Sequence, residues 1–380
     1  MTAITLDYTP AIQQHAGIGR YADELTRALL ALQPDEDWRL FYVDPEHRIP
    51  VSPLDALPRV VLRQSNKRWR FSVLLATYVR HSLDRRLQLR DGLFHATDHL
   101  LPRIACARSV FTLHDLTPIK FPTAHTRLNR RFLQLMLPHF LQAADLIIAD
   151  SASTQRDALH LYRLPPERVR VVHLGVDPRF RPADEAARER VCATYQLPDR
   201  FILSVGMIEP RKNLAVLLEA CHELRQHNSG IQLVIAGKRG WHSEPFFERL
   251  QALGLTDKVR LLGFVPDEDL PALYGLAEVF AFPSLYEGFG LPVLEAMACG
   301  APVICSNTSS LPEVAGEAAI QLAPTDVRGW TEALGRLMSD GALCATLRQR
   351  GLQQAHRFTW ENTARQTYAI YQEVYAAHRP

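Results

Sequence analysis

Two glutamates stand eight residues apart in "SLYEGFGLPVLEAMACGAPV", residues 284–303: Glu287 and Glu295. Carboxylates at that spacing admit three readings. They are ordinary surface charges, a paired acid and base, or two contacts to different parts of one ligand. The intervening residues discriminate. "FAFPS" has the apolar character of a strand ending at Ser284, and "LYEGFG" has the glycines of a turn. Pro292 suits the first position of a helix, where its missing N–H costs nothing. The helix "PVLEAMACG" then runs to Gly300. Such a start leaves the amides of Gly290 and Leu291 pointing outward, and an amide-rich helix start attracts anions, phosphate above all. Glu287 precedes that seat and Glu295 lies one turn inside the helix. The pair therefore brackets a bound diphosphate, which argues against a coupled acid and base.

Three further stretches carry chemistry. In "VGMIEPRKN", residues 205–213, Gly206 closes a strand and Arg211 and Lys212 follow it. Adjacent cations at a strand's C-terminal end suit a diphosphate whose charge grows as it departs; a solvated basic loop is the plain alternative. In "HAGIGRY", residues 15–21, Gly17 and Gly19 precede a helix, but Ala22 takes the place of the third glycine of a GxGxxG pattern. In "FTLHDLTP", residues 111–118, His114 and Asp115 end a strand. No HExxH, GxSxG or GxxxxGK[ST] is present, which excludes the corresponding metalloprotease, hydrolase and P-loop chemistries.

The elements that must hold these residues are legible. With 380 residues, two domains are expected. The second half alternates short apolar runs ("RFILSVG", "IQLVIAG", "VRLLGFV", "VFAFPS", "APVICSN", "AAIQLAP") with helical segments. That pitch predicts an α/β, doubly wound parallel sheet with helices on both faces. The first half reads similarly through "AITLDYT", "RLFYV", "GLFHATD", "RSVFTLHD", "ADLIIADS" and "VRVVHLG". The charged, proline-bearing "GVDPRFRPADEAARERV" reads as a linker, and "WENTARQTYAIYQEVYAA" as a last helix packing back across the boundary. The expected division is 1–177, 178–359 and a C-terminal helix in 360–380. Ligands of such sheets sit outside the strands' carboxyl ends.

Composition narrows the setting. Hydrophobic residues make up 47% and charged residues 22%, ordinary for a globular protein. Six scattered cysteines without a CxxC pair, no basic-apolar leader and no long apolar window read as a cytoplasmic protein with reduced thiols. Residues 1–180 carry 24 Lys and Arg against 18 Asp and Glu; residues 181–380 carry 19 against 23. The basic excess gathers in "NKRWRFSVLLATYVRHSLDRRLQLR" and "RLNRRFLQLMLPHFL". These are either helices with solvated basic faces or a surface that meets anionic lipid or an anionic acceptor. The charge balance does not suit a nucleic-acid partner.

The four motifs in this order resemble the retaining GT-B glycosyltransferases that include sucrose synthase and bacterial mannosyltransferases. The resemblance spans nearly the whole chain and is strongest in "EGFGLPVLEAMACGAPVICSNTSSLPEVAG". "VGMIEPRKN" and "LVIAGKRGW" look most like the branch that uses GDP-mannose on O-antigen chains. The resemblance implies two Rossmann-like domains, acceptor-binding then donor-binding. It gives Glu287 a donor-sugar hydroxyl, and gives Phe289, Gly290 and Leu291 the sugar and distal phosphate. Glu295 would take the ribose, with Arg211, Lys212 and Gly206 at the diphosphate. The backbone of Phe264 and Val265 would meet the base. Gly17 would approach the phosphates from the first domain, His114 would lie beside the sugar, and Ser151 would lie on the acceptor side. No metal or other cofactor is implied. Many relatives carry Arg where this chain has Met207, a loss that Arg211 is expected to offset. A UDP-glucose-type donor, a nucleotide-sugar epimerase and a non-catalytic relative are the alternatives.

Overall fold

A computed structural model describes residues 3–13, 17–46, 48–122, 126–225 and 231–376. The chain divides into two compact units. One comprises Met1–Lys120, Thr126–Gly175 and Thr359–Pro380; the other comprises Phe121–His125 and Val176–Phe358.

The first unit is built on seven strands: β1 (Ile4–Asp7), β2 (Trp38–Val43), β3 (Arg59–Leu62), β4 (Leu93–Ala96), β5 (Arg108–Leu113), β6 (Leu146–Ala149) and β7 (Val169–Val171). All neighbouring pairs are parallel, in the order β3-β2-β1-β4-β5-β6-β7. β1, β4 and β6 are buried along their whole length, as strands covered on both faces are; β6 is uninterruptedly apolar, whereas β1 and β4 bury Thr5, Asp7 and His95 as well. The helices here are α1 (Thr9–Gln13), α2 (Ile18–Leu32), α3 (Asn66–Tyr78), α4 (Asp84–Leu87), α5 (Thr117–Lys120), α6 (Arg127–Ala143) and α7 (Ala152–Tyr162).

The second unit carries β8 (Phe201–Val205), β9 (Gln232–Ala236), β10 (Val259–Gly263), β11 (Val279–Phe282), β12 (Val303–Ser306) and β13 (Ala319–Leu322). They are parallel in the order β10-β9-β8-β11-β12-β13. Its helices are α8 (Glu185–Tyr195), α9 (Ala215–Leu224), α10 (Glu244–Ala252), α11 (Leu270–Leu276), α12 (Leu291–Ala298), α13 (Leu311–Ala315), α14 (Val327–Ser339) and α15 (Gly341–Ala355). The last helix, α16 (Trp360–Ala376), rejoins the first unit and packs on α2. Gly175 permits that return: a Cβ there would sit 2.2 Å from the amide nitrogen of Trp360.

Among the elements that differ from the sequence reading, α8, β3 and α1 show why. The expected linker ends in α8, because the Asp184 side chain accepts the Ala187 amide and the Ala- and Glu-rich run behind it propagates a helix. β3, an edge strand only half-buried, gives no clear apolar pattern. α1, five residues long, is too short for a periodic signal. Among the described residues no helix is long and apolar enough to cross a membrane.

Each sheet reverses its winding direction once, between β1 and β4 in the first unit and between β8 and β11 in the second. At such a point neighbouring loops diverge and leave a crevice at the strand ends. The loops after β8 and β11 hold Arg211, Lys212 and Glu287.

Candidate active site

The β8 and β11 loops are tied together before any side-chain charge is considered. Gly206 leaves β8 at φ +142°, where an L side chain is strained, and the chain then turns through Pro210–Lys212. Asn213 takes the left-handed region and donates to the carbonyls of Pro283 and Pro324, at 3.1 and 2.7 Å. The Leu285 amide donates to Arg211 O at 2.8 Å. Arg211 and Lys212, 75 and more positions before Glu287 in the chain, are thereby delivered beside it.

Glu287 is 9% exposed and fully engaged. Its Oε1 accepts from Lys212 Nζ at 2.7 Å and Ser284 Oγ at 2.6 Å, and its Oε2 pairs with Arg211 Nη1 at 2.8 Å. Arg211 also donates to Tyr286 O and to Glu209 Oε1, each at 2.7 Å. Lys212 Nζ lies 4.7 Å from the centre of the Phe282 ring. Burial works against the Glu287 carboxylate, but the charges of Arg211 and Lys212 and the Lys212 and Ser284 hydrogen bonds outweigh it, holding the group down at about 2. Burial, with Arg211 beside it, pulls Lys212 below the usual lysine range. The result is a dry cluster of two cations and one anion facing a second carboxylate, Glu209. The two cations are therefore not the solvated loop that an isolated Arg-Lys pair suggests.

The turn behind Glu287 is held from the β12–α13 connection. The Glu287 amide donates to Ser309 Oγ at 2.9 Å, and Ser310 Oγ donates to the carbonyls of Glu287 and Phe289 at 3.0 and 2.6 Å. α12 then begins at Gly290, in the left-handed region with φ +111° and with no side chain capping it. The positive φ favours glycine there, and a Cβ would also press on the Leu311 Cδ2 methyl at 2.7 Å. An uncapped helix start three residues after Glu287, whose oxygens hold two partly buried cations, is a seat for an anion. Leu291 and Pro292 open the helix, and Phe289 is buried against Phe358, edge to face.

Glu295 is buried inside α12, where Tyr274 Oη donates to it at 3.0 Å. Val265 is buried. Phe264 is 60% exposed after the left-handed Gly263, with Lys238 Nζ 4.9 Å over its ring. Met207 is partly exposed. Arg211, expected to offset the arginine missing there, is already committed to Glu209, Glu287 and a carbonyl, so that compensation shares one guanidinium among several partners.

The first unit holds the other residues singled out. His114 is buried with both ring nitrogens engaged: Nδ1 with Asp150 Oδ2 at 2.7 Å and Nε2 with Thr97 O at 2.9 Å. Both partners are acceptors, so the two bonds form together only in the imidazolium. Burial opposes that charge. The Asp150 carboxylate, the Thr97 carbonyl and the more distant Asp98 prevail, raising the group to about 9. His114 is thus a fixed positive charge without a lone pair to act as a base. Ser151, expected on the acceptor side, is buried and spends its hydroxyl capping α7 through the Thr154 amide at 3.0 Å. Its neighbour Asp150 is the residue that reaches His114. Gly17 starts α2 at φ +58°, with open space around its absent Cβ, so backbone conformation alone explains it. His15 and Ala16 of the same stretch lie outside the described residues. Asp150, Ser284, Ser310 and Glu209 carry no motif of their own; each lies next to, or a few residues from, a strand end, which is the signal that would have marked them.

Comparison with known proteins decides the class. The family model "Glycosyl transferases group 1" matches residues 193–354, and "Glycosyltransferase Family 4" matches residues 15–180. O-antigen chain mannosyltransferase B of Escherichia coli is 33% identical over 371 residues, covering 93% of this chain and 95% of that protein. The chain belongs to the group 1 glycosyltransferases. The MMP alpha-(1->4)-mannosyltransferase of Mycolicibacterium hassiacum is 36% identical over 241 residues, 62% of this glycosyltransferase and 55% of that one. Two solved structures share its GT-B fold. Sucrose-phosphate synthase of Thermosynechococcus elongatus superposes with a TM-score of 0.79 at 22% identity, and Anabaena HepE in complex with UDP-glucose with 0.72 at 18%. Each comparison covers 100% of both chains.

The His114 pairing gives this glycosyltransferase a pH signature. A raised histidine pKa stabilises the fold fully below the unfolded value of about 6.5, and that contribution fades as pH rises through about 9. Asp150→Asn removes the main cause, while Asp98, His99 and Tyr21 still face the ring. The His114 midpoint, followed by NMR, is expected to fall by roughly one to three pH units. A variant whose His114 still titrates near 9 would contradict the assignment.

Proposed function

We propose that this glycosyltransferase moves mannose from GDP-mannose, with retained configuration, to a glycan or lipid-linked glycan acceptor in cell-surface polysaccharide synthesis. One observation carries the reading. The Arg211–Lys212–Glu287 cluster, its carboxylate buried and its cations partly so, precedes the uncapped start of α12, in a chain 33% identical to a protein named a mannosyltransferase along nearly the whole of both.

As the donor's anomeric carbon becomes positive, the departing diphosphate accumulates negative charge. Lys212, Arg211 and the amides at Gly290 and Leu291 stabilise that charge, and being preorganised they need no rearrangement to do so. Arg211 and Lys212, shared with Glu209 and Glu287, turn their remaining donors to the diphosphate, and the proposal assigns no metal a role. Glu287 takes a hydroxyl of the sugar, Glu295 the ribose, and the backbone at Phe264 and Val265 the base. Glu287 is a poor nucleophile: both of its oxygens are bonded, and its neighbours hold it at about 2. The leaving phosphate therefore takes the acceptor's proton on the same face of the sugar. The first unit is the acceptor-binding one, and His114 is the fixed charge it contributes.

The acceptor's setting follows from α3 and α6. Arg70 joins them, donating to Asn129 Oδ1 at 2.6 Å and lying 4.4 Å over the Phe132 ring. Phe71, Leu75, Tyr78, Val79, Leu128 and Leu135 stand exposed along these helices, and residues 66–80 and 126–143 contain no Asp or Glu. Apolar side chains among arginines without acids suit an anionic bilayer surface. We assign the enzyme to the cytoplasmic face of the membrane as a peripheral protein.

Removing one preorganised donor raises a barrier by about 3 to 4 kcal/mol. Lys212→Ala is accordingly expected to lower GDP-mannose turnover at least roughly 100-fold. A loss below about threefold sinks the assignment of Lys212, and turnover of UDP-glucose in preference to GDP-mannose overturns the donor. In flotation, the protein is expected to rise with phosphatidylglycerol vesicles at low salt and to stay behind with phosphatidylcholine. No binding to either rejects the membrane reading.

A further inference from the structure

His114 is held by more than Asp150 and Thr97. Thr112, near the end of β5, precedes His114 by two residues. The Thr112 hydroxyl is a junction. Its Oγ1 lies 2.8 Å from Tyr21 Oη and 2.7 Å from His95 Nε2, and His95 Nδ1 lies 2.6 Å from Tyr371 Oη. The Tyr21 ring then meets the His114 ring edge-on, with centroids 4.8 Å apart. Tyr21 also packs against Trp360, at 6.1 Å between ring centroids. Tyr371 and Trp360 both belong to α16, more than 200 residues further along the chain. Tyr21, His95, Thr112 and Tyr371 are each 1% exposed or less.

Four buried polar side chains, His95 and Thr112 on the sheet with Tyr21 of α2 and Tyr371 of α16, are costly unless each is satisfied. Burial keeps His95 neutral, drawn down to about 3, so one of its nitrogens donates and the other accepts. Four apolar side chains would fill the same space without that constraint. The polar chain instead fixes directions: it sets the Thr112 rotamer, the tilt of the Tyr21 ring and, through that ring, the orientation of His114.

We infer that Tyr371, His95 and Thr112 are positioning residues through which the C-terminal helix aligns the His114 imidazolium for transfer. The inference rests on the transfer reading in its kinetic arm only, because His114 can be observed without any substrate.

Thr112→Val is nearly isosteric and removes the junction, whereas Thr112→Ser restores the hydroxyl. Tyr371→Phe removes the far end. The ring N–H signals of His114 in 1H–15N spectra report its alignment, and kcat and KM for GDP-mannose report its consequence. Thr112→Val and Tyr371→Phe are expected to shift those signals. They should lower kcat by about tenfold or more, as small misplacements of catalytic groups do, with KM for the donor nearly unchanged; Thr112→Ser should recover both. Unshifted His114 signals in folded Thr112→Val overturn the inference. So does an unchanged kcat accompanied only by a lower Tm, which would mark a merely structural network. Shifted signals in a chain that transfers no mannose would reject the transfer reading and retain the alignment.

Discussion

Glu287 stays ionised in a nearly dry site only because two cations close on its two oxygens. Burying three charges is expensive, and stripping one partner from such a cluster typically costs about 3 to 5 kcal/mol. The surrounding structure is consistent with that constraint. Asn213 pins the β8 loop to the β11 loop, Ser310 holds the Glu287 turn by two carbonyls, and Gly290 supplies the backbone conformation that lets α12 begin beside the cations. The winding reversal between β8 and β11 places these loops side by side. Fold and charge are thus one argument: the sheet order brings the loops together, and the loops make the ion cluster affordable.

The two units solve different problems with polar groups. In the second, charge is concentrated and left beside an open helix start, which is what an anionic leaving group requires. In the first, polar groups are spent on geometry. Asp150 and Thr97 force His114 into its charged form, and the chain from Tyr371 to Tyr21 fixes where that charge points. Neither arrangement resembles a paired general acid and base.

Much of this was legible in the sequence because local physics wrote it there. Uninterrupted apolar runs marked the buried strands, and Pro292 after Gly290 marked the start of α12. The half-buried edge strand β3 and the Asp184-capped helix α8 escaped because their patterns are weak or charged. Within the site, sequence placed Arg211, Lys212 and Glu287 at strand ends but assigned them separate tasks. Their mutual contact depends on strand order, which spacing along the chain does not encode. Ser151 drew attention through its position, whereas its hydroxyl serves α7 and the adjacent Asp150 acts on His114.

The central claim is that Lys212 and Glu287 work as one unit, and a double-mutant cycle on donor turnover tests it most directly. The single variants Lys212→Ala and Glu287→Gln each disrupt the same cluster. If the account holds, the double variant loses far less than the product of the single losses, a coupling of about 1 to 3 kcal/mol. Losses that multiply within about 0.5 kcal/mol of independence would mean the two residues act separately, and the account would fail.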